Sequence, residues 1–114
     1  MVNRNSQFPL VSIIITTKNE ERNIANCLKS ILNSQSPVSN SQSLIEIIVV
    51  DNNSTDKTVE IVKSYCHIQL YNFGPNRAAQ LNFGANIAKG KYILFPDADM
   101  ILSGNVIKKR FRKL

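Results

Sequence analysis

Asp97 and Asp99 set two carboxylates one residue apart, directly after the run Tyr92-Ile93-Leu94-Phe95-Pro96. Hard oxygen donors in this spacing suit Mg2+ or Mn2+, ions that use one or two carboxylates and complete their shells with water and phosphate oxygens. If the backbone stays extended, the alternation puts both carboxylates on roughly the same side. A D-x-D pair alone reads first as a solvated turn, and its neighbours reverse that balance. Five of the eight acidic residues (Glu20, Asp51, Asp56, Asp97 and Asp99) stand at or just after the ends of apolar runs. Asp51, in Asp51-Asn52-Asn53-Ser54, suits a turn cap as well as a ligand contact. Asp56 reads as structural, an acid favoured in the first turn of a helix. Thr16-Thr17-Lys18-Asn19-Glu20 contains no glycine, and no GxxxxGK[ST] occurs. Phosphates would therefore be neutralised through a cation and not in a glycine cradle. His67, the sole histidine, opens a run away from these acids, so no Ser/His/Asp or Cys/His arrangement is expected.

The elements that must position these residues alternate strand and helix, the pattern of an α/β fold with a mostly parallel sheet and helices on both faces. Strands are expected at 11–16, 45–50, 68–71 and 92–95. Ile24, Cys27, Leu28, Ile31 and Leu32 recur at helical spacing, with Asn19 as the expected N-cap. Ser54 or Thr55 is expected to cap a second helix with the stripe Val59, Val62 and Cys66, widened by Ile61 and Tyr65. A third helix over 76–88 places Ala78, Leu81, Ala85 and Ala88 on one face and ends at Gly90 as a left-handed cap. Residues 34–43, rich in Ser, Asn and Gln, read as a surface connection, and a further helix is expected from Ser103. In open α/β sheets, ligands bind beyond the carboxyl ends of the strands. The strand-end acids would share that edge.

The formal charge of +6 is concentrated in the end of the chain, where Lys108, Lys109, Arg110, Arg112 and Lys113 lie. Without them nine basic residues face eight acidic ones, which argues against nucleic-acid binding by the body. The basic tail, with Phe111 and Leu114, suits a solvated helix end or contact with a membrane surface. No signal peptide or membrane-spanning run is legible, and Cys27 and Cys66 read as reduced core thiols. A cytoplasmic protein, peripheral to the membrane at most, is the expectation. A single domain over 1–114 is also expected.

Four segments, in order, resemble family 2 glycosyltransferases: VSIIITTKNEERNIANCLKSIL, EIIVVDNNSTDKTVEIV with its D-x-x-S-x-D-x-T turn, GPNRAAQLNFGANIAKGKYILF, and PDAD. They span about residues 11–99. The resemblance implies the Rossmann-like, nucleotide-sugar-binding half of a GT-A fold. It further implies metal-dependent, inverting transfer of a sugar from a nucleoside diphosphate, UDP by preference, to an acceptor hydroxyl. By the same resemblance Thr16, Asn19 and Glu20 would line the base and ribose pocket, and Asp51 would accept from the base. Arg77, and less centrally Asn82, would contact the nucleotide. Asp97 would face ribose and diphosphate, partly through metal-bound water, and Asp99 would hold the Mn2+ or Mg2+.

The family's catalytic base lies in the acceptor-binding part, and no acidic residue follows Asp99 here. The chain thus reads as a donor-binding part truncated before the acceptor part, and its acceptor is expected to be a glycan or lipid-linked. The sheet left uncovered by such a truncation points to self-association. A non-catalytic nucleotide-sugar-binding module is the alternative. A phosphotransfer or phosphatase domain ranks behind both, because Thr16-Thr17-Lys18 stands where such folds usually place an aspartate.

Overall fold

The computed structural model describes residues 11–33 and 45–100. Strands β1 (Val11–Thr17), β2 (Ile45–Asp51), β3 (Ile68–Asn72) and β4 (Tyr92–Leu94) alternate with helices α1 (Ile24–Asn33), α2 (Thr58–Lys63) and α3 (Arg77–Ile87). The sheet is parallel throughout, in the order β3-β2-β1-β4. The chain therefore steps outward from β1 to β3 and returns to β1's other side for β4. No helix among the described residues is long and apolar enough to cross a membrane.

The β-branched runs of β1 and β2 are apolar on both faces because both are covered. Ile13, Ile15, Ile47 and Val49 pack with Ile24, Cys27, Leu28 and Ile31 of α1 and Val62 of α2. Ile14, Ile48 and Val50 meet the underside of α3. Register puts Thr17 opposite Asp51 and Asp51 opposite Asn72, so three polar residues end adjacent strands at one level. The ladder between β1 and β4 stops at Ile13 and Leu94. Pro96 has no N–H to extend it, and beyond this point the two chains part.

Several local expectations are corrected. Asn76 caps α3, its side chain accepting from the Ala79 N–H, and Leu81, Ala85 and Ala88 pack on the sheet as expected, but Gln80 and Gly84 are buried deepest and Ala78 is exposed. Gly84 permits the close approach: a Cβ there would stand 2.6 Å from Ile14 Cγ2. No described glycine has positive φ, so Gly90 is not a left-handed cap. It gives its N–H to Ser12 Oγ at 2.8 Å, and a Cβ would stand 2.6 Å from the Ser12 nitrogen. Neither Ser54 nor Thr55 caps α2; Asp56 accepts from the Thr58 N–H instead. Cys66 is exposed, since α2 ends at Lys63, whereas Cys27 is buried. The expectations for 34–43, the helix from Ser103 and the basic tail lie outside the described residues.

At the amino ends of the strands, Glu46 accepts from Ser12 Oγ (2.6 Å), Gln69 Nε2 (3.0 Å) and the Lys89 N–H (2.8 Å). Burial pushes its pKa up, but these donors and the Lys89 charge outweigh burial and hold the carboxyl below its ordinary value. A depressed folded pKa gives stability that is present above the unfolded pKa and lost as pH falls through the folded one. Urea unfolding is therefore expected to show wild type weakening from pH 7 to below about pH 4. Glu46→Gln should flatten that slope and cost about 1–2 kcal/mol at pH 7, the low figure reflecting partial exposure. Gly84→Val should overpack the α3 contact with Ile14 and cost about 1–3 kcal/mol, read as a lowered Tm.

Candidate functional site

The loops after β1 and β2 are joined by a hydrogen-bond lattice. The Asp51 carboxylate is 2% exposed. Its Oδ1 accepts from Thr17 Oγ1 (2.5 Å) and Ser54 Oγ (2.6 Å), and its Oδ2 from the Ser54 N–H (2.8 Å). Asn19, at φ 55°, occupies the left-handed region that asparagine tolerates. Its Oδ1 accepts from the N–H groups of Thr55 (2.8 Å) and Asp56 (3.3 Å), and its own N–H donates to Ser54 Oγ. Glu20 N–H donates to Thr58 Oγ1, and Glu21 N–H to Asp56 Oδ2. Each polar residue of the Asp51-x-x-Ser54-x-Asp56-x-Thr58 spacing thus serves this lattice.

Beyond the lattice, where β1 and β4 part, lies an open crevice of about 380 Å3. One wall is Thr16, Thr17, Lys18 and Glu20 from the β1 loop, with Asn52 beside it; Arg77 and Gln80 of α3 and Asp97 to Asp99 complete it. This is the point where strand order reverses, the usual ligand site of an open α/β sheet. Ala98 is buried in the α1 core and turns the chain there. The turn is closed by the Met100 N–H donating to the Asp97 carbonyl at 2.9 Å. The D-x-D backbone is therefore not extended, yet both carboxylates line the crevice.

Arg77, the first residue of α3, reaches Asp97 Oδ1 at 2.9 Å, both side chains being more than half exposed. Below them Cys27 Sγ donates to the Asp97 carbonyl at 3.7 Å. Burial, then the charges of Asp99 and Glu20, push its pKa up to about 11. The thiol stays protonated at neutral pH.

Of the residues expected at the site, Thr16, Glu20, Arg77, Asp97 and Asp99 come together. Asn19 does not line the crevice, because its amide is turned into the neighbouring loop. Asn82 is exposed elsewhere on α3. Asp51 points away, its oxygens occupied by Thr17 and Ser54, and the crevice receives Asn52 instead. Asn52 Nδ2 donates to the Pro75 carbonyl at 2.9 Å, which fixes the amide orientation.

Gln80 was not expected. It is 3% exposed, and its Nε2 donates to the carbonyls of Thr17 (3.0 Å) and Val50 (2.7 Å), tying α3 to the carboxyl ends of β1 and β2. A polar residue four before Gly84, on the same helical face, was the available signal. Among the described residues no three His, Cys, Asp or Glu side chains group to hold a metal. Asp97 and Asp99 fit a hard cation as a partial donor set, to be completed by water or ligand oxygens.

A family model described as "Glycosyl transferase family 2" matches residues 12–114. An uncharacterized glycosyltransferase of Haemophilus influenzae is 34% identical over 111 residues, covering 90% of this chain and 41% of that protein. The chain thus spans well under half of that relative. Staphylococcus aureus TarS, residues 1–349 in complex with UDP-GlcNAc, superposes with a TM-score of 0.75 at 29% identity, over 88% of this chain and 29% of that one. The mannosyltransferase PcManGT of Pyrobaculum calidifontis, in complex with GDP-Man and Mn2+, also gives 0.75, at 26% identity over 88% and 30%.

The lattice predicts a separation of roles between adjacent residues. Asp51→Ala strands the Thr17 and Ser54 donors and should cost roughly 2–4 kcal/mol in urea unfolding. Asn52→Ala, on the crevice wall, should change stability by less than about 1 kcal/mol.

Proposed function

The chain belongs to glycosyl transferase family 2, and we propose that its crevice holds the nucleoside diphosphate of a sugar donor, UDP by preference. The carrying observation is the convergence of Thr16, Glu20, Asn52, Arg77, Asp97 and Asp99 on one cavity at the switch point of the sheet. UDP-GlcNAc and GDP-Man in the two structural relatives support the ligand class.

In this reading the base sits against the β1 and β2 loops. Asn52 takes the role that the sequence suggested for Asp51. With Nδ2 committed to Pro75, its Oδ1 remains the acceptor for a ring N–H of the base. Thr16 and Glu20 flank the ribose. Arg77, a planar fork of donors, meets the diphosphate. Asp97 and Asp99 hold a divalent cation, Mn2+ or Mg2+, which when bound neutralises charge on the departing diphosphate. Gln80 keeps the strand ends at fixed spacing beneath the nucleotide.

The reaction served is transfer of the sugar, with inversion, to an acceptor hydroxyl. The acceptor, a glycan or lipid-linked alcohol, and the base that deprotonates it are assigned to the part of such proteins that this chain does not span. Self-association is part of the same proposal, supported by Ile93, Phe95 and Met100 standing exposed along the β4 side. A cytoplasmic location, with peripheral membrane contact through the basic tail, completes it.

Calorimetric titration of UDP with and without Mn2+ tests the site. Wild type should bind UDP at least tenfold more tightly with the metal, and Asp99→Ala should abolish that difference without lowering the Tm by more than a few degrees. Equal affinity with and without Mn2+, in both proteins, would remove the metal-assisted donor site.

A further inference from the structure

Arg77 and Asp97 make a contact that the donor-site reading does not need. A residue that serves a diphosphate has no reason to be held by a carboxylate that serves a cation. Yet Arg77 Nη2 stands 2.9 Å from Asp97 Oδ1, joining the start of α3 to the β4 turn across the crevice. We infer that Arg77 occupies Asp97 until a diphosphate draws it off, so that cation binding at Asp97 and Asp99 is conditional on the nucleotide. The inference rests on the donor-site reading and adds to it an order and a coupling.

Two observations carry it. The guanidinium takes one oxygen of a cation-binding pair and adds a positive charge beside any ion that approaches it. Moreover, no third His, Cys, Asp or Glu among the described residues joins the pair, so the protein alone offers a cation too few ligands to hold it firmly. A diphosphate relieves both conditions together. It gives the guanidinium a bidentate anionic partner, and it supplies oxygens to complete the cation's shell. The exchange is easy because the ion pair is solvent-exposed, its side chains 54% and 61% accessible, and such pairs are weak. Arg77 is placed to make the exchange: as the first residue of α3 it lies at the positive end of the helix, where an anion is favoured. Coupling of this kind is reciprocal, so UDP must tighten Mn2+ by the factor by which Mn2+ tightens UDP.

The test measures Mn2+ binding by electron paramagnetic resonance, with and without saturating UDP, in wild type, Arg77→Gln and Asp99→Asn. Arg77 is exposed, so its substitution should leave the thermal melt unchanged. In wild type, Mn2+ alone should bind weakly and UDP should tighten it at least tenfold. Arg77→Gln should bind Mn2+ alone about twofold to fivefold more tightly than wild type, and the tightening by UDP should shrink by about that factor. Unchanged or weaker binding of Mn2+ alone by Arg77→Gln would overturn the inference while leaving the donor site standing. Asp99→Asn binding Mn2+ as wild type does, or wild type showing no effect of UDP on Mn2+, would overturn the donor-site reading and this inference with it.

Discussion

A buried carboxylate holds the functional edge of this protein together. Asp51 ends the central strand β2 and accepts from Thr17 on β1 and from two groups of Ser54 in its own loop. A charge so far from water is costly unless its lone pairs are filled, and filling them dictates where the neighbouring groups must stand. Thr17 is fixed by register, since β1 and β2 pair it with Asp51. Ser54 is fixed by the turn, and through Ser54 Oγ the constraint passes to Asn19 on the other loop. From there it reaches Thr55, Asp56, Thr58 and Glu20. One ion with three donors thus sets the conformation of both loops that wall the crevice.

The crevice itself arises from a termination. β1 runs on past Ile13 to Thr17, while β4 stops at Leu94 before a proline. The resulting gap receives the β1 loop on one side and the Asp97 turn on the other, with α3 above. Ala98, buried in the core, anchors the turn between two exposed carboxylates. Gln80 ties the roof to the strand ends by spanning two carbonyls. Backbone elements of the sheet and of α3 hold the walls, whereas the Arg77–Asp97 contact across the mouth is solvent-exposed.

Much of this was legible in the residues. The continuous β-branched runs of β1 and β2, the helical stripe from Ile24 to Ile31 and the strand-helix alternation suffice for a parallel sheet covered on both faces. The rule that ligands gather at carboxyl ends suffices to draw Thr16, Glu20, Arg77, Asp97 and Asp99 to one edge. Less legible were residues whose meaning depends on approach distances. Gly90 looked like a helix cap because it follows a helix, but its missing Cβ answers to Ser12, far away in sequence. Ala78 shared an apolar period with Leu81 and Ala85, which do pack on the sheet, but the close approach at Gly84 puts Gln80 and Gly84 deepest and leaves Ala78 exposed.

Side-chain chemistry and spacing by themselves determined the fold class, the covered sheet and the edge that carries the acids, while the family was read from the resemblance of four ordered segments. Fold class, sheet and edge follow from local periodicity and from the alternation of strand and helix, which residue types encode directly. Only the tertiary structure decided between Asp51 and Asn52. Adjacent residues at a strand end point to opposite sides, and which side is core depends on the partner strand's register. Thr17 meets Asp51 across the β1–β2 ladder, so the charged residue turns inward to be satisfied and the amide faces the cavity. The same holds for Asn19, consumed by a loop 36 positions away, and for the pairing of Arg77 with Asp97, 20 positions apart. Such assignments depend on distances across the fold, and local sequence carries no record of them.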